Sequence, residues 1–358
     1  MSHLHVLLTG GTGFVGTAIL KALDEYHPEY RVSVLDFISE SRWARPNTAF
    51  DIQYYQADIT NRHQVSEAIH ACKPTIVIHT AGMVTKNNSR YRDPNPEIVF
   101  RINVEGTRNV LDAAKSSGAT SFVYTSSVTI VTDDQDHDYP NVNETVPTGF
   151  ALCTYGQSKL AAEKVVLAAN SPEFATCALR PSTLMGPGDT NLVPTIQRCI
   201  AEFETPFIIG SGLNLYDFTY VGNVADAHVL AAENLTRPHA DDRTAAGEAI
   251  FITNGQPVPF RSFCLAVWAE WGHAPPFEIH VPKRVAWTAG YLAEWWTWIR
   301  GTEATLCRGS VKDYCQTAYA DISKSRRILG YEPRVGLPEG IKISCADLKR
   351  RMEENKLS

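Results

Sequence analysis

The chain has 358 residues, 44% of them apolar and 20% charged, with a formal net charge of -6. That length suits one large α/β domain or a core with a smaller lobe. An acidic balance without a Lys/Arg run excludes a nucleic-acid partner. The eight cysteines form neither a CxxC pair nor a Cys/His metal spacing, so they read as reduced intracellular thiols with no metal site.

"HLHVLLT" reads as a first strand, "GGTGFVG" as a turn and "TAILKALDEY" as the helix that follows. The apolar run is too short for a signal peptide, and no stretch reaches the roughly 18 apolar residues of a membrane span. Gly10, Gly13 and Gly16 recur every third residue across the turn, with Thr12, Phe14 and Val15 between them. Glycines there let a backbone approach a pyrophosphate, and the helix offers free N–H groups and its positive end. This context makes the motif a strong dinucleotide signal.

The second strand, "RVSVLDF", ends in Asp36, where a carboxylate accepts ribose hydroxyls and repels a 2′-phosphate. The assignment is therefore NAD over NADP, a turn residue or helix cap being the plain alternative for Asp36. "IQYYQADIT" places Asp58 and Ile59 beside the adenine, and "TIVIHTAG" ends in the small-residue turn Thr80, Ala81 and Gly82. Helical stretches from 62 and from 97 separate these strands, which implies a doubly wound parallel sheet of Rossmann type. "TSFVYTSSVTI" is the fifth strand, ending in paired serines. Ligands of such sheets sit beyond the carboxyl ends of the strands.

"TYGQSKLAAEKVVLAAN" then sets Tyr155 and Lys159 one helical turn apart. Taken alone, the pair reads as an exposed cation–aromatic contact. Together with Ser127 over a nicotinamide it becomes an acid–base device, with Lys159 lowering the phenol pKa and Ser127 steadying the substrate oxygen. Asn103, in "RINVEGT", is a candidate for positioning Lys159, a surface helix position being its bland alternative.

TGxxGxxG, a strand-end serine and YxxxK, all in order, resemble the extended short-chain dehydrogenase/reductase superfamily over essentially the whole chain. "ALRPSTLMGPGD", "LYDFTYVGNVADAHVLAAENL" and "DISKSRRILGYEPRVGLPEGI" are similar to its 3β-hydroxysteroid dehydrogenase family, and within that to the fungal sterol-4α-carboxylate 3-dehydrogenases (decarboxylating). The resemblance implies NAD-dependent oxidation of a sterol-like 3β-hydroxyl to a ketone, with loss of a C4 carboxylate where one is present. It also implies that Pro181 and Ser182 border the nicotinamide, and that two long helices pair two chains into a homodimer.

Three departures surround the expected pocket. "GMVTKNNSRYRDPNPEIVF" is longer than in yeast-type relatives, Cys153 precedes Tyr155 where a "DETWP"-like phrase is expected, and Ser182 and Thr183 replace Ala-Gly. They leave open a triterpenoid or meroterpenoid substrate of fungal secondary metabolism. A nucleotide-sugar epimerase or dehydratase and a catalytically silent nucleotide sensor are the competing readings.

The NAD-binding core is expected over 1–180, with 217–255 returning to it, and a substrate-binding lobe over 181–216 and 256–358. The second half carries Phe203, Phe207, Trp268, Trp271, Trp287, Trp295, Trp296 and Trp298, which suits a hydrophobic sterol or terpenoid, although core packing explains each singly. "VAWTAGYLAEWWTWIRG" (285–301) reads as a helix that packs on the core, covers the pocket or lies in a membrane interface. The implied location is cytoplasmic, with peripheral contact at the endoplasmic reticulum membrane as the variant.

Overall fold

The computed structural model describes residues 4–85, 90, 91, 93–300 and 306–357. In the first half β1 (His5–Thr9), α1 (Phe14–Tyr26), β2 (Arg31–Asp36), β3 (Ile52–Gln56), α2 (Arg62–Cys72) and β4 (Ile76–His79) follow in order. Next come α3 (Pro96–Phe100), a π-helical turn (Arg101–Gly106) and α4 (Thr107–Ser116), which continue one another. β5 (Ser121–Thr125), α5 (Thr129–Thr132), β6 (Tyr139–Val142), α6 (Thr154–Ala168) and β7 (Ala175–Pro181) complete it.

The second half opens with β8 (Thr183–Met185), α7 (Leu192–Ala201), β9 (Phe207–Ile209), β10 (Leu215–Tyr216), β11 (Phe218–Tyr220) and α8 (Val221–Leu235). β12 (Ala249–Ile252), β13 (Val258–Pro259), α9 (Phe260–Ala269), β14 (Ile279–Val281) and α10 (Lys283–Arg300) follow. The chain closes with α11 (Arg308–Cys315), β15 (Ala318–Ala320), α12 (Ser323–Leu329) and α13 (Leu337–Leu357).

Seven strands pair in parallel in the order β12-β7-β5-β4-β1-β2-β3. Strands of such a sheet are covered on both faces, which is why β1, β4 and β5 are continuous apolar runs and fully buried. Ile19, Leu20 and Leu23 of α1 pack with Val224 and Ala227 of α8 on one face. Val65 and Ile69 of α2, Val110 and Leu111 of α4, and Val166 of α6 cover the other. Chain order reverses between β1 and β4, and that switch point opens a crevice at their carboxyl ends.

A smaller mixed sheet, β13-β10-β15-β6, lies in the second layer of structure, with β10 and β13 antiparallel. β6 precedes the Tyr155 helix in the chain yet joins this sheet. Around it, Phe218 stacks on Phe263 at 3.6 Å and the Trp268 indole donates to Ile196 O at 2.7 Å.

Three local details differ from the sequence reading. β5 stops at Thr125, so Ser126 and Ser127 occupy the turn into α5 instead of the strand end. The helix from 97 is interrupted by the π turn that contains Asn103. Of the aromatics expected to line a pocket, Trp268 is buried, whereas Phe203, Phe207, Trp287, Trp295 and Trp296 are exposed. The Trp298 side chain, and 86–89 and 92 of the long segment after β4, lie outside the described residues.

Candidate active site

At the first turn, Gly10 adopts φ +72°, a left-handed conformation open to glycine, and a Cβ on it would meet the Ala81 backbone at 2.7 Å. A Cβ on Gly16 would stand 2.2 Å from Gly10 O, so α1 presses against the turn as a dinucleotide site requires. Gly13 caps α1, and Phe14 and Val15 form its first turn. Asp36 is buried at the end of β2 and accepts from Thr12 N at 3.2 Å and Thr12 Oγ1 at 2.7 Å. The cradle closed to any side chain and the carboxylate beside it fit a dinucleotide.

Asp58 is exposed, and its Oδ1 accepts from Thr60 N and Thr60 Oγ1, both at 2.9 Å. Its carboxylate thus serves the turn before α2, while buried Ile59 faces Gly106. Thr80 Oγ1 donates to Thr9 O at 2.8 Å, which sets the β4 turn against β1, and Ala81 and Gly82 continue it across the crevice. Ser182 Oγ donates to Asp217 O at 2.8 Å, and Pro181 O accepts from Val128 N at 3.0 Å. These two residues tie the end of β7 to β11 and to the serine turn.

Ser127, Tyr155 and Lys159 are all buried at this end of the sheet. Ser127 hydrogen-bonds the Tyr155 phenol, and its Oγ accepts from Thr129 Oγ1 at 2.8 Å. Lys159 Nζ donates to Thr125 O at 2.6 Å and lies 4.8 Å from the centre of the Tyr124 ring. Burial holds the phenol up at about 12, opposed by the Ser127 bond and the positive charge of Arg90. Burial also brings Lys159 down to about 8 against the attraction of Glu163. The expected pull of Lys159 on the phenol is thus absent from this geometry, because the ammonium turns to the Thr125 carbonyl; the cation acting on Tyr155 is Arg90.

Asn103 is buried, not a surface residue. Its Nδ2 donates to Met83 O at 3.0 Å and Ser158 Oγ at 2.9 Å, and its Oδ1 accepts from Met83 N at 2.7 Å. A π turn widens the helix and redirects side chains, a device common at functional sites. Here it aims the amide between the β4 turn and the residue preceding Lys159. A Cβ on Gly82 would lie 3.1 Å from Asn103 Oδ1 and 3.6 Å from Lys159 Nζ, so glycine keeps open the space in front of both.

Two charged groupings escaped the sequence reading. Glu163 accepts from Ser126 Oγ at 2.6 Å and from Arg180 Nη2 and Nε at 2.6 and 3.0 Å, all buried. One signal could have exposed it, since Glu163 follows Lys159 by one helical turn. Arg90 bridges Asp133 and Asp313 beside Tyr155, across separations that leave no local mark in the sequence.

Residues 7–283 match the 3-beta hydroxysteroid dehydrogenase/isomerase family. The chain is 38% identical over 348 residues to a sterol-4-alpha-carboxylate 3-dehydrogenase, decarboxylating, of Saccharomyces cerevisiae, covering 95% of this chain and 97% of that one. Its counterpart in Schizosaccharomyces pombe is 36% identical over 96% and 97% of the two chains. An epimerase structure from Methanothermobacter thermautotrophicus superposes with a TM-score of 0.74 at 22% identity, covering 99% of this chain and 95% of that one, a likeness of fold. The match spans the glycine turn, the serine turn and the tyrosine helix, and the chain belongs to the 3-beta hydroxysteroid dehydrogenase/isomerase family.

Proposed function

We propose that the protein oxidises a 3β-hydroxyl on a sterol- or triterpenoid-like substrate to the ketone with NAD, and that a C4 carboxylate is lost as CO2. The Ser127–Tyr155 hydrogen bond, with Lys159 a turn behind it and the glycine cradle alongside, carries this reading. The names of the fungal relatives supply the substrate class.

Gly10, Gly13, Gly16, Asp36 and the Thr80–Gly82 turn would hold the cofactor, which supplies a hydride acceptor when bound. Buried Asp36 favours NAD over NADP, since a 2′-phosphate would have to share its space. Tyr155, as phenolate, takes the alcohol proton, and Ser127 holds the oxygen as it becomes a carbonyl. Lys159, one helical turn on, would hydrogen-bond the nicotinamide ribose. The resulting β-keto carboxylate loses CO2 as the C–C bonding pair moves toward the new carbonyl, giving an enolate that takes up a proton at C4. No side chain is required for that last step.

The test is NADH release, with NAD and NADP compared, from a 3β-hydroxy-4-carboxylate sterol and from its 4-methyl counterpart. Turnover of the acid with NAD, and a product lighter by CO2, is the expected result. Turnover of the methyl compound as well would make it a general 3β-alcohol dehydrogenase. A protein that interconverts a nucleotide sugar and releases no NADH would be an epimerase instead.

A membrane surface and a second copy of the chain are the further partners we propose. On α10, Tyr291, Leu292, Trp295, Trp296 and Ile299 are exposed, and Lys283, Arg284 and Arg300 stand at its ends, which suits peripheral contact with an anionic membrane surface. No helix among the described residues is long and apolar enough to cross a membrane. Phe150 and Leu152 are exposed just before α6, and Ile98 is exposed on α3, apolar side chains suited to contact with a second copy of the chain. Flotation with anionic vesicles, lost on Trp295→Ala/Trp296→Ala, tests the first assignment; a monomer by light scattering would refute the second.

A further inference from the structure

Arg90 lies in the connection between β4 and α3, and its guanidinium is held between two carboxylates. Nη2 donates to Asp133 Oδ1 at 2.6 Å and Nε to Asp313 Oδ2 at 3.2 Å. Asp133 follows α5 and Asp313 is on α11, so the pair of bonds fixes the guanidinium plane from two sides. Tyr91 braces the arrangement: its hydroxyl donates to Asp313 Oδ2 at 2.5 Å and its ring lies against Gly309, where a Cβ would come within 2.3 Å of the ring.

The other side of this cluster is the catalytic tyrosine. Asp133 Oδ2 lies 2.5 Å from the position of a Cβ on Gly156, the residue after Tyr155. The guanidinium is also near enough for its charge to pull down both the Tyr155 and Tyr216 phenols. Among the described residues Nη1 of Arg90 makes no hydrogen bond, and the side chain retains 23% exposure.

We propose that Arg90 is a specificity-determining residue that binds the carboxylate on the carbon next to the reacting alcohol through its Nη1 edge. This rests on the 3β-hydroxy acid reading above. A hydroxyl and a carboxylate on adjacent carbons lie close together, so a cation that binds the acid must stand beside the group that holds the alcohol. An arginine with its plane fixed suits a carboxylate better than a mobile ammonium does. The two aspartates weaken the field of the cation and supply orientation. Burial raises the Asp133 carboxyl to about 6 against the attraction of Arg90.

The test uses Arg90→Gln, Arg90→Lys and Asp133→Asn with the acid and its 4-methyl counterpart, each checked by thermal unfolding and NAD titration. In Arg90→Gln the acid-to-methyl ratio of kcat/KM should fall about 10- to 100-fold, chiefly through KM for the acid, because the lost contact is a ground-state one. Arg90→Lys should recover part of the ratio. Asp133→Asn removes a competing negative charge and should raise it, which keeps the proposal testable where Arg90 variants fold poorly. Equal losses on both substrates, an unchanged ratio, or a ratio lowered by Asp133→Asn would overturn the role of Arg90. A wild-type protein that oxidises neither compound would overturn the function proposed above; one that oxidises both, with no selective loss in the variants, would overturn this inference alone.

Discussion

Tyr155→Phe is expected to lower turnover by about 10²- to 10⁴-fold, the range set by removing a positioned general base, while NAD affinity changes little. The residue is 9% exposed, and phenylalanine fills the same space, so packing survives and the hydroxyl with its Ser127 bond is lost. The same group governs the pH profile. With the phenol held at about 12, only a small fraction is phenolate at neutral pH, so oxidation should speed up by close to tenfold per pH unit in that region. Stopped-flow NADH formation from pH 6 to 9 measures the slope. A Tyr155→Phe protein retaining a tenth of wild-type activity, or a flat wild-type profile, would sink the assignment of the phenol as base.

Glu163→Ala is expected to destabilise the fold by about 3–5 kcal/mol, as breaking a buried ion pair does. Glu163 is 2% exposed and bonded by Ser126 and Arg180. Without it Arg180, itself 5% exposed, keeps a buried charge beside the Phe251 ring at 5.3 Å, and its Nη1 already has no partner among the described residues. The desolvation of that cation, uncompensated, is the source of the cost. Activity should fall as well. Glu163 is the neighbour that raises Lys159, so its loss takes the ammonium further below 8 and thins the protonated fraction at neutral pH. Glu163→Gln keeps one acceptor oxygen for Ser126 or Arg180 and places an amide N–H2 donor where the other oxygen stood, so it should lie between wild type and Glu163→Ala. Urea unfolding without cofactor gives the stability, and a loss under 1 kcal/mol in Glu163→Ala would refute the argument.

The Rossmann sheet was legible because its causes are local. Continuous apolar strands alternate with amphipathic helices, and the turn at Gly10 needs a left-handed residue with no Cβ. Ser127, Tyr155 and Lys159 were readable for a related reason: in a parallel sheet strand ends and the following helix starts gather at one edge, so order along the chain already places them together. Their electrostatic states were not readable. Lys159 turns to Thr125 O, and the cation felt by the phenol is Arg90, a residue from another connection.

The sequence by itself determined the sheet, the glycine turn and the chain order that brings Ser127, Tyr155 and Lys159 to one edge, because periodicity, glycine geometry and strand-end topology act over one or two elements. Tertiary structure alone decided that β6 would leave the core's order to pair with β15, that α10 would turn its tryptophans outward, and that Arg90 would meet Asp313 across 223 positions of chain. Such pairs join elements with no shared period or turn chemistry. Their partners are selected when the two layers close on each other, by which charge is left buried and which carboxylate is within reach.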